Sequence, residues 1–415
     1  MTIKKRKKNI RELLSISTNQ MVLLSFFISF SIGPTSLEAS KPDYKWITID
    51  ENSLGLSQKS IGDGIEEVES RNGVSLLRIN EKSLSSLSSI MHRSFNRCGG
   101  YFLHKNYIEG KNYLNKGEEY SLIEKSNFEN FEINQQDRIK PLLELVNEKK
   151  ILAVIEKLTK FHNRYYQSET GYQSQQWLKG KWEEITQGRS DIKVEFFNHS
   201  WKQPSIILTI DGTEKPQEIV VIGGHADSIA GWWGRIRARA PGADDNASGM
   251  GTITEVLRLL VEGSYRPKRT IKFMAYAAEE VGLLGSKEIA KKMKETNQNV
   301  VGVMQLDMTN FNGSDLDIVM MDDFTNADQN RFIGNLIDEY VKVSWGYDSC
   351  GYACSDHASW TAEGFPASMP FEAKKNDMNK KIHTANDTIE VSRNSASHAS
   401  HFAKLGLSYL IEMAK

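Results

Sequence analysis

Several classes of protein are excluded by what this chain has little of. Its 415 residues include only three cysteines and nine prolines, which fits neither a disulfide-rich scaffold nor a proline-rich chain. The formal net charge is -1, from 52 basic and 53 acidic residues, so there is no electrostatic reason to expect nucleic acid as a partner. The glycine-rich stretches lack the lysine and the spacing of a phosphate-binding loop. The length and the 39% of hydrophobic residues suit one sizeable α/β core plus a smaller unit.

The apolar run near the N-terminus is too short to cross a membrane. Residues 21–33 would span roughly 20 Å of a ~30 Å hydrocarbon core. A strongly basic stretch precedes this run, and small residues follow it, which is the layout of a secretory signal peptide. We therefore predict a signal peptide over residues 1–39, a secreted protein, and no stable membrane association after cleavage. A membrane anchor and a nuclear role for the basic run are the alternatives.

Polar residues follow three apolar runs of the chain. These runs are typical of strands that are buried on both faces: residues 218–224, 271–278 and 300–306. His225 follows the first run, Glu279 and Glu280 follow the second, and Asp307 follows the third. Ligands of open α/β sheets bind outside the carboxyl ends of the strands, so we expect these side chains to converge. The predicted fold is α/β, with a mixed, mostly parallel sheet flanked by helices on both faces.

The residue types at these positions predict a metal site. Asp245 lies in a glycine-rich turn before a helical pattern, and His383 lies in a polar loop. Two imidazoles and three carboxylates suit zinc better than calcium or magnesium. Five ligands exceed what one open catalytic zinc needs, but they suffice for two ions that share a carboxylate. We therefore predict two Zn²⁺, with these ligands: His225, Asp245, Glu280, Asp307 and His383. Glu279 is left as the general base.

Taken singly, these residues have plainer interpretations. A histidine after a strand is more often a capping or hydrogen-bonded group than a ligand. An acidic pair such as Glu279 and Glu280 often marks the solvated start of a helix. The combination is what favours a metal site.

Six motifs carry a resemblance to a known family. In order and spacing, the chain resembles the secreted bacterial leucyl aminopeptidases of the two-zinc exopeptidase type, through GGHADS, PGADDNASG, AYAAEEVGLLGS, QLDMTN, CGYACSDHASW and IHTANDT. The likeness covers roughly residues 136–415. It implies a monomeric zinc exopeptidase-like enzyme that hydrolyses the N-terminal residue from peptide substrates with a free N-terminus.

The resemblance also implies roles for individual residues. His225 and Glu280 are similar to ligands paired with the bridging Asp245, while Asp307 and His383 complete the two shells. The Asp245–Asn246 peptide bond is expected to be cis. Glu279 is similar to the general base, and Asp227 is similar to the carboxylate that orients the first ligand histidine.

A disulfide and an apolar substrate pocket follow from the same resemblance. Cys350 and Cys354 are expected to form a disulfide beside Tyr352, whose hydroxyl can hydrogen-bond the substrate carbonyl or the developing oxyanion. The alternative is two reduced core cysteines, and Cys98 is left without a partner. The other implied pocket residues are mostly apolar: Met308, Met321, Met369, Phe371, Lys375 and Ile382. They favour leucine-like, methionine or phenylalanine N-termini.

Lys375 stands where the family has an aromatic residue. Its ammonium group can point into the pocket and repel basic N-termini. Alternatively, its stem packs along the rim and the charge reaches water, which is the arrangement we expect because an unpaired buried ammonium is costly.

Residues 40–135 carry none of the motifs. We interpret them as a propeptide-like segment and linker before a catalytic domain at 136–415, with the mature chain starting between about Glu119 and Asp137. A permanent targeting or binding module is the alternative. No chemistry is expected at His92, while Asp356 and His357 are expected to be structural or to support the metal ligands.

Other functions remain open on the same fold. Carboxypeptidase action and glutaminyl cyclisation are alternatives, as is a non-enzymatic receptor-like relative. Such cyclases use one zinc, and receptor-like relatives typically lose ligands or the base. All five ligands and the base are present here.

Overall fold

The computed structural model describes residues 43–95, 97, 100–116, 131–231 and 235–415. The predicted signal peptide, Cys98 and Glu119 lie outside the described residues. Within the described part of the chain, no helix is both long enough and apolar enough to cross a membrane.

The N-terminal region folds around a small antiparallel sheet of its own. The strand order is β2-β3-β1-β4, and the elements run along the chain as β1 (Tyr44–Asp50), α1 (Glu51–Ile61), β2 (Ile65–Arg71), β3 (Val74–Asn80), α2 (Leu84–Phe95), β4 (Phe102–His104) and α3 (Tyr107–Lys116). Helix α2 places Leu87 and Met91 four residues apart on one face, where both are fully buried against Ile47 and Leu77 of the sheet. Because this apolar face of α2 packs on the small sheet, the opposite face of the helix points away from that core.

The remaining strands form the predicted mixed sheet. They are β5 (Ile192–Phe197), β6 (Ser205–Ile210), β7 (Lys215–His225), β8 (Arg269–Tyr276), β9 (Asn299–Gln305), β10 (Ile318–Met321), β11 (Trp345–Asp348) and β12 (Ala367–Phe371). Their order is β11-β10-β12-β9-β7-β8-β6-β5. The central strands β12, β9, β7 and β8 are parallel to one another, while β10 runs antiparallel to β12 and β6 runs antiparallel to both β8 and β5. The predicted fold class is confirmed.

Helices cover both faces of the large sheet. They are α4 (Gln136–Leu143), α5 (Glu148–Thr159), α6 (Glu169–Ile185), α7 (Gly249–Glu262), α8 (Leu284–Glu295), α9 (Ala327–Leu336), α10 (His357–Ala362) and α11 (Ser397–Met413). Along β7, Val220 and Ile222 pack in the core with α5, α7 and α11, whereas Ile219 and Val221 pack in a second core with α8. This alternation explains why β7 is apolar at every position from 219 to 222.

The register of the central strands brings their carboxyl ends level. His225 at the end of β7 lies opposite Tyr276 of β8, and Gly223 lies opposite Gln305 of β9. The backbones approach closely here, since a Cβ on Gly224 would lie 2.4 Å from the carbonyl oxygen of Leu306. Glycine is required at this position because any side chain would push apart the strands that carry the site.

Candidate metal centre

The structure brings all five predicted ligands into one buried place. His225 ends β7, Glu280 follows β8 and Asp307 follows β9. Asp245 comes from the turn before α7, where the Asp245–Asn246 peptide bond is cis, as expected. His383 comes from the loop after β12. Each of these side chains is at most 9% exposed.

Asp245 lies between two groups of ligands. Its Oδ1 is 3.0 Å from His225 Nε2, which is also 3.2 Å from Asp307 Oδ1. Its Oδ2 is 2.9 Å from His383 Nε2, which is 3.0 Å from Glu280 Oε2. One carboxylate therefore joins a His225–Asp307 pair to a His383–Glu280 pair, as a ligand that bridges two cations must.

The acids of the centre require a positive partner. Neither carboxylate oxygen of Glu279 has a hydrogen-bond partner among the described residues. Without a cation, burial raises the pKa of Glu280 to about 7, and the Asp245 carboxylate adds to that rise. Burial also raises the pKa of Glu279 well above its usual range, although His225 opposes the rise. Divalent zinc fits this donor set because it would compensate the buried negative charge.

Asp227 supports both sides of the centre. Its Oδ1 lies 3.5 Å from His225 Nδ1 and accepts a hydrogen bond of 3.0 Å from the backbone N–H of Glu279. Its Oδ2 accepts from the backbone N–H of Glu280 at 3.3 Å. The carboxylate therefore fixes the acidic pair, which is more than the sequence indicated, while His225 Nδ1 also lies 3.2 Å from the backbone carbonyl oxygen of Asp227.

Two buried side chains that the sequence analysis missed hold the bridging loop. Asn246 accepts from the N–H of Met308 at 3.2 Å and donates to Leu306 O at 2.9 Å, which ties the Asp245 turn to the Asp307 strand end. Asp387 accepts from the N–H of Asp245 at 3.1 Å. Asn246 lies in the motif PGADDNASG and Asp387 lies in IHTANDT. Their closeness in sequence to Asp245 and His383 was the signal that could have identified them.

A fully buried arginine lies behind the centre. Arg164 donates to the carbonyl oxygens of Ala226 and Gly242, each at 2.9 Å, and so links the loop after β7 to the turn before Asp245. Burial lowers its pKa to about 10, while Asp387 and Asp245 act in the opposite sense. It remains cationic at neutral pH and offsets part of the buried negative charge. No motif marks this position, so sequence reasoning had no signal for it.

Comparisons with known proteins agree with this geometry. Residues 205–406 match the pattern of peptidase family M28. Leucine aminopeptidase 1 of the fungus Colletotrichum graminicola is 38% identical over 291 residues, which cover 67% of this chain and 71% of that protein. This chain belongs to peptidase family M28. The prediction of a zinc-dependent aminopeptidase that acts on peptides is thereby confirmed, whereas the bacterial and secreted parts of the resemblance stay predictions.

Solved structures extend the likeness of this M28 chain beyond its catalytic domain. LapB from Legionella pneumophila superposes with a TM-score of 0.75 at 29% identity, over 90% of this chain and 100% of that chain. The LapA aminopeptidase from the same organism gives 0.75 at 27% identity, over 90% and 99%. Residues 136–415 are only about two thirds of this chain, so the matched part includes residues of the N-terminal region.

The predicted pocket residues form one apolar cluster beside the metal centre. Its members include Met308, Met321, Met369, Phe371, Ile382 and Tyr352. The expected Cys350–Cys354 disulfide is present and belongs to the same cluster. Tyr352 is 6% exposed and stands in the loop that the disulfide closes.

The ammonium of the half-buried Lys375 contacts residues of this cluster. Its Nζ lies 3.5 Å from the hydroxyl of Tyr352 and 3.4 Å from the sulfur of Met378. It also lies 5.3 Å from the centre of the Tyr352 ring, at a distance typical of a cation–π contact. The half-buried ammonium thus faces pocket residues, because the aromatic ring and hydroxyl compensate part of its lost hydration.

The structure gives defined contacts to three residues that were not predicted as ligands: Asp356, His357 and His92. Asp356 accepts a hydrogen bond from the side chain of Gln305 at 3.0 Å, and His357 Nε2 lies 3.3 Å from the carbonyl oxygen of Asp323. Both contacts hold the segment that follows the disulfide. The neighbouring Ser355 donates to Asp307 Oδ2 at 2.6 Å. His92, from α2, instead packs directly against His383.

Proposed function

We propose that this M28 aminopeptidase holds two zinc ions and releases apolar N-terminal residues from peptides after secretion. The observation that carries the proposal is the placement of Asp245 between the two ligand pairs, with its oxygens 3.0 Å from His225 Nε2 and 2.9 Å from His383 Nε2. One ion would be held by His225, Asp245 and Asp307. The other would be held by His383, Asp245 and Glu280.

The residues around the centre support a hydrolytic mechanism. Two zinc ions held by these residues would supply a Lewis acid for the scissile carbonyl and would lower the pKa of the attacking water. Glu279 is the general base: it takes a proton from that water and passes it to the leaving amine. It suits this role because its carboxylate is fully buried and lies 4.0 Å from His225 Nε2, beyond hydrogen-bond distance. Tyr352, which belongs to the apolar cluster, would donate a hydrogen bond to the developing oxyanion.

The pocket supports a preference for leucine-like, methionine or phenylalanine N-termini. Met308, Met321, Met369, Phe371 and Ile382 belong to one cluster of apolar side chains. Methionine side chains adapt their shape at little cost, which suits side chains of several sizes. The free amino group of the peptide would be bound at one of the zinc ions, which is why the reaction is limited to N-terminal residues.

The decisive experiment combines metal analysis with a substrate panel. Purified processed protein should contain two equivalents of zinc and hydrolyse leucyl p-nitroanilide but not its N-acetylated form. One equivalent together with cyclisation of N-terminal glutamine would indicate a glutaminyl cyclase. Cleavage at the C-terminus would indicate a carboxypeptidase, and no turnover of any peptide in zinc-loaded protein would indicate a receptor-like protein.

Processing is tested on the secreted protein. We expect a signal peptide at residues 1–39, removal of the N-terminal region, and a mature monomer that starts between about Glu119 and Asp137. Intact mass spectrometry of protein from culture medium measures this start directly. A fully active species that begins at Ser40 would contradict removal of the region.

A further inference from the structure

Helix α2 brings a histidine from the N-terminal region to the metal centre. The His92 ring stacks on the ring of His383, with centroids 3.8 Å apart and 26° between the planes. His92, Glu280 and His383 each offer one potential metal-ligating atom, and these atoms lie within 4.8 Å of one another. His92 is only 8% exposed. An imidazole in this position can add to the ligands of the zinc ion proposed between Glu280 and His383.

Contacts on both sides of His92 fix its position. Ser88, one turn earlier on α2, lies 3.4 Å from His92 Nε2 and donates to the carbonyl oxygen of Glu280, also at 3.4 Å. Arg235 donates to Ser89 Oγ at 2.9 Å. Tyr101 donates to the carbonyl oxygen of Val281 at 3.1 Å. Helix α2 and the segment after it are thus bound to the backbone that carries Glu280.

Two further contacts hold the region over the substrate pocket. The guanidinium of Arg97 lies 4.6 Å from the centre of the Tyr352 ring. Lys287 on α8 forms an ion pair of 2.8 Å with Glu109 on α3. The region therefore contacts the pocket residue Tyr352 as well as Glu280 and His383 at the metal centre.

The number of protein ligands available to this zinc indicates a role for His92. Asp245, Glu280 and His383 supply three protein ligands to one zinc, and a catalytic zinc keeps its next position open for water or substrate. A fourth protein ligand makes a closed tetrahedral site of the kind that structural zinc has. We propose that His92 is this fourth ligand in the unprocessed chain, where it occupies the position that the α-amino group of a peptide takes once the region is removed. This inference rests on the proposed two-zinc function.

The test compares full-length unprocessed variants loaded with cobalt, whose visible absorption reports its coordination. His92→Phe keeps a ring against His383 but removes the ligating nitrogen, and His92→Ala removes both. We expect both variants to bind Co²⁺ at this site at least tenfold more weakly than the wild type and to have altered absorption in the visible region. Free L-leucine should then change the spectrum of the variants at concentrations that leave the wild type unchanged.

His104→Phe is the matched control. His104 belongs to the same region and is also buried, but it bonds Thr48 at 3.0 Å within the small sheet. The His104→Phe variant should keep the cobalt affinity and the visible spectrum of the wild type. Thermal unfolding of each variant shows whether the fold is retained. The proposal is overturned if folded His92→Phe matches the wild type in cobalt affinity and spectrum, since His92 would then only stack on His383.

Failure of the proposed function gives a different result. If the His92 variants show the cobalt changes but the processed chain hydrolyses no peptide, the ligand assignment stands and the aminopeptidase proposal falls. If both hold, unprocessed His92→Phe should also cleave leucyl p-nitroanilide faster than the unprocessed wild type.

Discussion

Replacing Glu279 by glutamine tests the assignment of the general base. The change keeps the size of the side chain, and the glutamate it replaces is fully buried with no hydrogen-bond partner among the described residues. No native hydrogen bond is therefore lost, and we expect the stability of the fold to change by no more than about 1 kcal/mol. The amide cannot accept a proton from water, so the catalytic step loses its base.

The expected loss follows from what a positioned base contributes. General-base catalysis is worth about 10² to 10⁴ in rate, which corresponds to about 2.7 to 5.4 kcal/mol of the activation barrier. We expect kcat of Glu279→Gln to fall by that factor while KM and zinc content stay near the wild-type values. The assay is hydrolysis of leucyl p-nitroanilide by processed protein, so that the N-terminal region does not cover the centre.

The neighbouring acid provides the control. Glu280 Oε2 lies 3.0 Å from His383 Nε2, so Glu280→Gln should reduce zinc content as well as activity. Near-normal turnover of Glu279→Gln would refute the base assignment. A loss of zinc equal to that of Glu280→Gln would show instead that Glu279 is a ligand.

Three further predictions concern the bridge, the pocket and the pH dependence of stability. Asp245→Ala should remove both zinc ions because both ligand pairs share this carboxylate; metal analysis that finds one full equivalent would contradict bridging. Lys375→Phe should raise kcat/KM for lysyl relative to leucyl anilide by about tenfold, because it removes a like charge near the pocket; an unchanged ratio would mean that the ammonium does not face the substrate. Burial lowers the pKa of His357 from 6.5 to about 4, so folding disfavours protonation of this imidazole. The free energy of unfolding that neutral His357 contributes is present above pH 6.5 and is lost as the pH falls toward 4, by up to about 3 kcal/mol. Denaturant unfolding of metal-free protein at several pH values should show this loss, and His357→Gln should reduce it.

The catalytic domain was predictable because its signals are local. The three apolar runs before His225, Glu279 and Asp307 became β7, β8 and β9, and strands of one parallel sheet must end at the same edge. Their ligands converge for that reason. Which of Asp307 and His383 accompanies which partner could not be read from the chain, because it depends on the strand order, which places β9 beside β7, and on where the loop of His383 lies.

The N-terminal region shows where sequence reasoning reached its limit. Its serine-rich stretch is the helix α2, and a signal for that helix was present in the spacing of Leu87, Ile90 and Met91. The position of α2 on the metal centre had no such signal. The contacts that set it join residues more than 140 positions apart, such as Ser89 with Arg235 and Ser88 with Glu280. Without them, His92 is one of nine histidines in the chain with nothing to distinguish it.

The charge balance of the centre links catalysis to the covering region. Asp245, Glu279, Glu280 and Asp307 are buried together, and Arg164 is the fully buried cation behind them. Two zinc ions would carry four positive charges and so would balance these four carboxylates, which leaves the loaded centre with little need of a further cation and able to accept neutral, electron-donating groups. An imidazole fits that requirement in the unprocessed chain, as does the neutral amine of a peptide afterwards. Because His92 and the substrate amine meet the same requirement, we expect them to exclude each other, and release of α2 from the backbone of Glu280 becomes the step that opens the enzyme.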